Sequence, residues 1–173
     1  MLTRSKIKEE LSKKNLVIEP LNPDHLNPNS VDVTLADKLT IYLEAVLDPK
    51  KVNNTRTFTI PKEGIVLIPG ELYIAHTNEY TETHGFVPIL EGKSSLARLG
   101  LAIHVTAGFG DVGFKGQWVL EITVVKPTKI YPNMRIGQLS YHEITGSADD
   151  VYEGKYVDQK GNVTSKSYED FKK

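Results

Sequence analysis

The sequence predicts a single all-β domain. A chain of 173 residues is long enough to bury one hydrophobic core. After a polar N-terminal stretch, apolar segments of strand length follow one another, separated by Pro, Gly, Asn and Asp. Many short strands at this spacing are typical of a β-sandwich or a closed β-barrel. The pattern contains no internal repeat and no second domain, so residues 1–173 are treated as one unit.

The first expected element is a short helix at the N-terminus. Thr3 or Ser5 can cap it, and Ile7 and Leu11 lie on one face at helical spacing. Asn15 is a plausible C-terminal stop, since Asn tolerates the left-handed conformation that ends many helices. The sequence therefore predicts one helix before the strands begin.

The strands begin with SVDVTL, in which Val31, Val33 and Leu35 alternate with Asp32 and Thr34, the period of a half-buried strand. The polar tail, residues 147–173, has no strong periodicity. We expect it to be a mobile arm, ordered by a ligand or by a neighbouring subunit. The other expected strands are LTIYLEAV, TFTI, GIVLIPG, LYIAHT, FVPIL, LAIHV, QWVLEITVV and IGQLSYHEI.

Composition excludes several functional classes. A net charge of −1 gives no global field to recruit nucleic acid or an anionic membrane, so any anion site must be local. The sequence has no apolar run of membrane-spanning length, and its N-terminus lacks the apolar core of a signal peptide, so a cytoplasmic location is expected. Cysteine is absent, which excludes disulfides, thiol catalysis and zinc sites built on thiolates.

The segment GKSSLARLG combines cations, hydroxyls and glycines. A short helical turn is expected over SSLAR, capped by Ser94 or Ser95 and ended by Gly100. The free N–H groups at its start, the hydroxyls, Lys93 and Arg98 can converge on a phosphate. The alternative is a capped connector with solvated charges, which is common in proteins. The segment alone does not decide between them.

Glycines crowd around Asp111 in the segment HVTAGFGDVGFKGQ. Glycine permits positive φ and lets the backbone approach a ligand closely. Asp111 at such a tip can accept a hydrogen bond from a sugar hydroxyl. It can equally be an ordinary turn aspartate that accepts from its own backbone.

Glu121 lies in the predicted strand WVLEITV, on one face with Val119 and Thr123. A carboxylate among β-branched neighbours must be solvated, paired or functional. A cross-strand ion pair with Lys or Arg is one explanation. A general base is the other, because partial burial raises a carboxyl pKa towards neutrality.

The remaining residue types give no sign of other common chemistries. The chain has no GxSxG elbow and no Walker loop. Its histidines show no metal-ligand spacing, and each is expected to be a surface residue or a satisfied strand residue: His25, His76, His84, His104 and His142.

Together these segments resemble a known family. GKSSLARLG, HVTAGF, Asp111, GFKG, VLE and IGQL occur in the order found in the dCTP deaminases of the trimeric dUTPase superfamily. NPNSVDVTL and KYVDQKGNVTSKSY extend the resemblance over nearly the whole chain. The resemblance implies a dUTPase-like fold, a distorted β-barrel or jelly-roll-like structure. It also implies a homotrimer with nucleotide sites at the subunit interfaces.

The resemblance implies zinc-independent deamination of dCTP. Zinc deaminases hold their metal with His and Cys, and this chain has no Cys. The family's glutamate at the position of Glu121 takes a proton from water, which attacks C4 of cytosine, and passes protons to the leaving ammonia. Ser94 and the backbone carbonyl of Ala107 would position that water, and Arg98 would pair with Glu121 and orient it.

The resemblance also assigns binding roles. Lys93, which stands where arginine is usual, and Ser95 would contribute to a triphosphate cradle. Asp111 would hold the deoxyribose 3′-hydroxyl, and Mg²⁺ would be bound through the triphosphate with no dedicated protein ligands. The tail would close over the phosphates. The complete implied nucleotide-binding set is Lys93, Ser94, Ser95, Leu96, Ala97, Arg98, Asp111, Val119, Leu120, Glu121, Gln138, Tyr152, Lys155 and Gln159.

One motif resembles the bifunctional members of the family, which also cleave the triphosphate and release dUMP and pyrophosphate. Thr106, Ala107, Gly108, Phe109 and Asp111 repeat their pattern, whereas many deaminase-only members carry a bulkier residue where this chain has Gly108. Small Gly108 would leave space or backbone freedom for a second water near the phosphates.

The sequence therefore favours a dUMP-forming dCTP deaminase that supplies pyrimidine deoxynucleotide synthesis. The resemblance adds dTTP as a candidate inhibitor, since dTTP inhibits members of the family, but the sequence itself does not reveal such inhibition. The alternatives are a monofunctional deaminase that yields dUTP, a dUTPase, and a non-catalytic nucleotide-binding module. The strand VLE favours a deaminase, because a dUTPase needs no glutamate proton shuttle. The combination of Glu121, Arg98 and Ser94 argues against a pure binder.

Overall fold

The computed structural model describes residues 1–104, 107–147 and 150–172. The described part is mostly β. Its α-helices are α1 (Arg4–Ser12) and α2 (Ser94–Ala97), and short 3-10 turns span Pro23–His25 and Ser167–Phe171. The strands are β1 (Leu16–Glu19), β2 (Val31–Thr34), β3 (Lys38–Tyr42), β4 (Thr55–Thr59), β5 (Ile65–Leu67), β6 (Tyr73–Thr83), β7 (Phe86–Gly92), β8 (Leu101–Ala102), β9 (Lys115–Val124), β10 (Thr128–Ile130) and β11 (Arg135–Glu143).

The strands form antiparallel sheets that wrap around one core. The largest sheet has the order β4-β3-β6-β9-β8, and β1 also pairs with β6. A second sheet has the order β2-β11-β7, and β10 pairs with β5. Over the described ranges these sheets do not close into one continuous barrel. The predicted all-β, distorted barrel or jelly-roll-like fold is confirmed.

Strand β9 has one face buried in the core and one face that is half-buried on the opposite side of its sheet. Trp118, Leu120 and Ile122 are buried on the core side, and the Trp118 indole N–H donates to Thr81 Oγ1 at 3.0 Å. Val119 and Glu121 alternate with them on the other, half-buried face. Burying each large apolar side chain contributes about 1.5–3 kcal/mol. A register slip of one residue would exchange the two faces, so the core fixes where Glu121 points.

Each helix differs from the sequence-based expectation at one of its two ends. Thr3 caps α1 as predicted, but the helix ends at Ser12 rather than near Asn15. Lys14 has a positive φ of 60°, and the Asn15 N–H donates to the Glu10 carbonyl. This left-handed turn ends the helix before Asn15.

At α2 the predicted serine cap is wrong. Lys93 occupies the N-cap position without a side-chain cap bond, and Ser94 is the first helical residue. Gly100 follows the helix with a φ of 78°, and its N–H donates to the Ala97 carbonyl at 2.9 Å. The predicted end of the turn is therefore confirmed.

The predicted strands are present, with changed lengths. Strand β3 ends at Tyr42 instead of continuing through LEAV, because the Glu44 carboxylate accepts the Asn54 N–H and folds the chain into a loop. Of LAIHV, only Leu101–Ala102 pairs as a strand. Strands β1 and β10 were not expected, since four and three residues are too short for a clear alternation.

A buried carboxylate on β2 ties three parts of the chain together. Asp32 is only 1% exposed, although its strand was expected to be half-buried with this residue outward. Its Oδ1 accepts from Lys93 Nζ at 2.6 Å and from Asn27 Nδ2 at 2.8 Å, and its Oδ2 accepts from Arg135 at 3.3 Å. Ionic hydrogen bonds make this burial tolerable. Asp32 therefore anchors Lys93, the N-cap residue of α2.

We expect Asp32→Asn to lower the free energy of unfolding by roughly 1.5–3 kcal/mol, because it removes the charge that Lys93 and Arg135 face. Urea unfolding at neutral pH measures the loss. Asp37→Asn removes an exposed aspartate from the next turn and should stay within about 0.5 kcal/mol of the wild type. Equal free energies of unfolding for the two variants would contradict the structural role of Asp32.

Candidate active site

A cavity of about 460 Å³ lies between the outward face of the β6–β9 pair, the loop that precedes β9, and the C-terminal arm. Its lining includes Tyr42, Leu72 and Ile74, together with the largely buried Phe114 and Trp118. Its volume suits a ligand of small-molecule size. The residues expected to bind nucleotide that line it are Asp111, Val119, Glu121, Tyr152 and Gln159, together with Ala107.

Glu121 is the ionisable group at the centre of this face. It lies on β9 opposite Ile74 of β6, and its side chain is 37% exposed. Its Oε2 is buried and has no hydrogen-bond partner among the described residues. Burial raises the pKa of Glu121 from its ordinary 4.5 to about 7. A carboxyl with such a pKa can both take up and release a proton near neutral pH, as a general acid/base requires.

The cross-strand ion pair considered for Glu121 is not formed. The described residues place no Lys or Arg nitrogen within ion-pair distance of it, and its nearest basic group is the His104 ring. The Arg98 guanidinium instead donates to the Ser94 carbonyl at 3.2 Å. Within one chain, therefore, the expected pairing of Arg98 with Glu121 does not occur.

Asp111 and Ala107 lie on the loop that precedes β9, and both line the cavity. The Asp111 carbonyl accepts the Phe114 N–H, which makes a turn. Its exposed carboxylate has no hydrogen bond or ion pair in the ranges that the structure covers. The turn-aspartate alternative, in which the side chain bonds its own backbone, is therefore not what the loop uses. The carboxylate is available to a ligand.

Two neighbouring residues of β9 contribute differently. Val119 presents its side chain to the cavity. Leu120 is fully buried on the core face, so only its backbone can contact a nucleotide.

The C-terminal arm packs across the mouth of the cavity. Gln159 Nε2 donates to the Gln117 carbonyl at 3.0 Å, and the Gln117 N–H donates to the Gln159 carbonyl at 2.9 Å. Tyr152 lies near Phe114, with ring centroids 6.5 Å apart. Lys155, expected to bind nucleotide, does not line the cavity, and its ammonium is paired with Asp170 of the arm at 2.6 Å.

Further contacts of the arm were not found by sequence reasoning. Asn162 Oδ1 accepts from His76 Nδ1 at 2.5 Å, and its Nδ2 donates to Thr40 Oγ1 at 3.0 Å. The Ser165 N–H donates to the Tyr42 hydroxyl at 3.1 Å. These pairs join residues far apart in the chain, and nothing local in the sequence marks them.

The GKSSLARLG segment lies away from this cavity. Ser94, Ser95, Ala97 and Arg98 are exposed, whereas Leu96 packs partly against the core. Lys93, expected in a phosphate cradle, has its ammonium on Asp32. Gln138 lies on this side too: its Nε2 donates to the Gly92 carbonyl and its Oε1 accepts from Ser30. None of these residues lines the Glu121 cavity.

His104 is the residue that the sequence analysis misjudged. Its side chain is 9% exposed, its Nε2 lies 2.9 Å from the Leu90 carbonyl, and its Nδ1 lies 3.8 Å from Glu121 Oε2. Nδ1 has no hydrogen-bond partner among the described residues, so His104 is neither a surface nor a satisfied histidine. The spacing of 104 and 121 gives no sequence signal, since only the pairing of β8 with β9 brings them together.

Gly108, the residue expected to determine bifunctionality, is packed closely. A Cβ built there would lie 2.4 Å from the Leu90 carbonyl oxygen and 2.6 Å from His104 Nε2. Glycine therefore permits the close approach of these groups, rather than leaving empty space on this side. Thr106, from the same motif, lies outside the described residues.

Among the described residues, no group of three or more His, Cys, Asp or Glu side chains is placed to hold a metal ion. In the same ranges, the helices are all too short or too polar to cross a membrane.

The chain matches known proteins over most of its length. The family model of the dCTP deaminase-like proteins matches residues 1–144. The chain belongs to the dCTP deaminase-like family. It is 51% identical over 171 residues to the dCTP deaminase, dUMP-forming, of Clostridium acetobutylicum, covering 99% of this chain and 98% of that protein. It is 47% identical over 173 residues to the protein of the same name in Leptospira biflexa, covering 100% and 99%.

A solved structure agrees with the fold of this dCTP deaminase-like chain. The 2′-deoxycytidine 5′-triphosphate deaminase of Agrobacterium tumefaciens matches 82% of the chain with a TM-score of 0.64 and 21% sequence identity. The match spans 47% of that structure's chain. At this identity the likeness supports the architecture alone.

The raised pKa of Glu121 predicts a pH-dependent cost of stability in this dCTP deaminase-like protein. The folded state holds the proton more tightly than the unfolded state, so stability falls as pH rises from 4.5 towards about 7. Glu121→Gln cannot ionise, and its melting temperature relative to the wild type should rise across that window. Calorimetry at several pH values tests this. Glu63→Gln, at an exposed position, is the matched control. If the melting-temperature difference between Glu121→Gln and the wild type changed no more with pH than it does for Glu63→Gln, the raised pKa of Glu121 would be refuted.

Proposed function

We propose that this protein is a dUMP-forming dCTP deaminase. It hydrolyses the 4-amino group of dCTP and cleaves the triphosphate, so that the products are ammonia, dUMP and pyrophosphate. The observation that carries the proposal is the half-buried Glu121 carboxyl, which titrates near neutrality and faces a cavity of nucleoside size. Family membership and relatives of that name over nearly the whole chain support it.

The deamination needs one proton shuttle. Glu121 takes a proton from a water molecule whose oxygen bonds to C4 of cytosine. It then gives a proton to the amino nitrogen, and the C4–N bond breaks with release of ammonia. A dissociable carboxyl with a pKa near the working pH suits both steps. The chain has no Cys, so it lacks the His and Cys ligand set with which zinc deaminases activate water.

The cavity supplies further groups. The Ala107 carbonyl can accept from the attacking water, and the Asp111 carboxylate can accept from a deoxyribose 3′-hydroxyl. Both groups lie on the same loop and line the cavity with Glu121. Gly108, on that loop, is proposed to permit the second hydrolysis at the triphosphate. Mg²⁺ is proposed to arrive with the triphosphate, which supplies its oxygen ligands.

We also propose a homotrimer in which each site lies between two copies. One chain keeps Glu121 apart from Ser94 and Arg98, whose exposed hydroxyl and guanidinium have no acidic partner in the described part of the chain. A second copy can bring its α2 segment to the Glu121 cavity and so complete the site with a phosphate-binding half. The mobile arm, inhibition by dTTP and the cytoplasmic location remain predictions.

Product analysis tests the reaction. With dCTP and Mg²⁺, the wild type should release ammonia, dUMP and pyrophosphate in equal amounts. Glu121→Gln should bind dCTP but lose ammonia release by at least about 100-fold, because the amide cannot relay a proton. Glu63→Gln is the control for removing an exposed carboxylate elsewhere. Substantial deamination by Glu121→Gln would overturn its role.

The same assay distinguishes the alternatives. Ammonia with dUTP as the end product would make the protein a monofunctional deaminase. Pyrophosphate from dUTP, with dCTP untouched, would make it a dUTPase. Binding of either nucleotide without any product would indicate a non-catalytic module.

Mixed oligomers test the shared site. We expect Arg98→Ala and Glu121→Gln each to be inactive alone. If each site takes one residue from each of two copies, random 1:1 co-assembly restores about one quarter of the wild-type sites. Co-assembly of Glu121→Gln with the double variant Glu121→Gln/Arg98→Ala is the matched control and should stay inactive. No recovery in the first mixture would show that one chain holds the whole site.

A further inference from the structure

Two buried atoms without partners face each other beside the cavity. His104 Nδ1 and Glu121 Oε2 lie 3.8 Å apart, and neither has a hydrogen-bond partner among the described residues. Buried polar atoms in folded proteins are nearly always hydrogen-bonded, so an opposed pair of this kind calls for an explanation.

The other side of the imidazole fixes which ring nitrogen carries a proton. His104 Nε2 lies 2.9 Å from the Leu90 carbonyl oxygen, which can only accept. Nε2 is therefore the N–H in the neutral ring. Nδ1 then presents either a lone pair or, in the imidazolium, a second N–H to Glu121. A lone pair facing a carboxylate in a desolvated site is repulsive, and one proton between them removes the repulsion.

We propose that His104 is a positioning residue for Glu121, and that the two side chains hold one proton between them in the resting enzyme. At 3.8 Å the two atoms lie beyond hydrogen-bond distance, so the shared proton requires the Glu121 side chain to move about 1 Å towards the ring. The role deepens the proposed deaminase function and rests on it. His104 touches no substrate, but it holds the Glu121 carboxyl in place to exchange a proton with water.

The packing around His104 holds this geometry. Leu90 lies on β7 and fixes the ring through its carbonyl, and Gly108 lies so close that a Cβ would collide with both groups. The ring therefore cannot turn away without displacing the loop. The other titratable groups packed around the pair are Tyr42, His76, Asp111, Tyr152 and Tyr156 on the Glu121 side and Glu91 on the His104 side.

The proton count of the reaction is unchanged by the pair. It begins with one proton, holds two after Glu121 takes a proton from water, and returns to one when that proton reaches the leaving nitrogen. At low pH the pair carries two protons and cannot accept one from water. At high pH the pair carries no proton. Activity should therefore require the singly protonated pair.

Two substitutions separate this role from a merely structural one. His104→Gln places its amide where Nε2 lies and keeps the bond to Leu90, but it offers nothing at the Nδ1 position. His104→Asn does the reverse and keeps a donor towards Glu121. The readouts are the pH profile of kcat/KM for dCTP and the Kd for dCTP. His84→Gln, at an exposed histidine elsewhere, is the matched control.

In His104→Gln the pH at which activity rises should shift by at least about one unit, because Glu121 loses the partner with which it shares the proton. His104→Asn should shift it less. If only the bond to Leu90 matters, the order reverses: His104→Gln resembles the wild type and His104→Asn is impaired. That reversal, or an unchanged profile in His104→Gln, would overturn the proposal.

A measurement without turnover keeps the test independent of the deaminase assignment. The ¹³C shift of the Glu121 carboxyl in the protein reports its protonation across pH. In His104→Gln, the pH at which Glu121 titrates should differ by at least about one unit from that in the wild type, since the partner that shares its proton is gone. Identical titration in both proteins overturns the pairing even if deamination is confirmed. A shifted titration in a protein without deaminase activity would support the pairing and reject the function.

Discussion

The site depends on one constraint: a carboxyl is held on a strand where water reaches it only in part. Glu121 cannot move away from this position, because Leu120 and Ile122 on either side of it are fully buried in the core. The pairing of β9 with β6 also fixes its height along the sheet, opposite Ile74. The fold thus offsets the cost of desolvating Glu121 by burying its neighbours. Displacing the carboxyl towards water would require the core side of the strand to be unpacked.

The groups around this carboxyl come from parts of the chain that are distant in sequence. The loop before β9 brings Ala107 and Asp111, and the arm brings Tyr152 and Gln159. Tyr152 of the arm packs partly against the core. Hydrogen bonds to Gln117 and to strand side chains hold the rest of the arm over the cavity. Such a closure can exclude solvent from a reacting nucleotide without a large hydrophobic interface.

Local patterns in the sequence predicted the elements and one of the two key carboxylates. The alternation in QWVLEITVV was enough to place Glu121 on a face opposite the core, and the structure confirms it. The alternating pattern predicted an exposed Asp32, and this prediction was wrong. The pattern indicates only on which face a residue lies, not whether cations from other parts of the chain cover that face. The prediction for His104 was wrong for a similar reason. Its contacts with Glu121 and Leu90 arise from strand pairing and the adjoining loop, which no local window contains.

The two cations of the GKSSLARLG segment have different partners. The compact ammonium of Lys93 reaches a single oxygen of Asp32 at 2.6 Å, a contact that suits lysine better than the planar fork of arginine. That contact satisfies the charge of Lys93 inside the chain. Arg98, one turn further along, has only the Ser94 carbonyl as a described partner, so its guanidinium keeps donors for an anion. Lys93 is therefore a structural anchor, and Arg98 is the cation of this segment whose donors remain available to an anion.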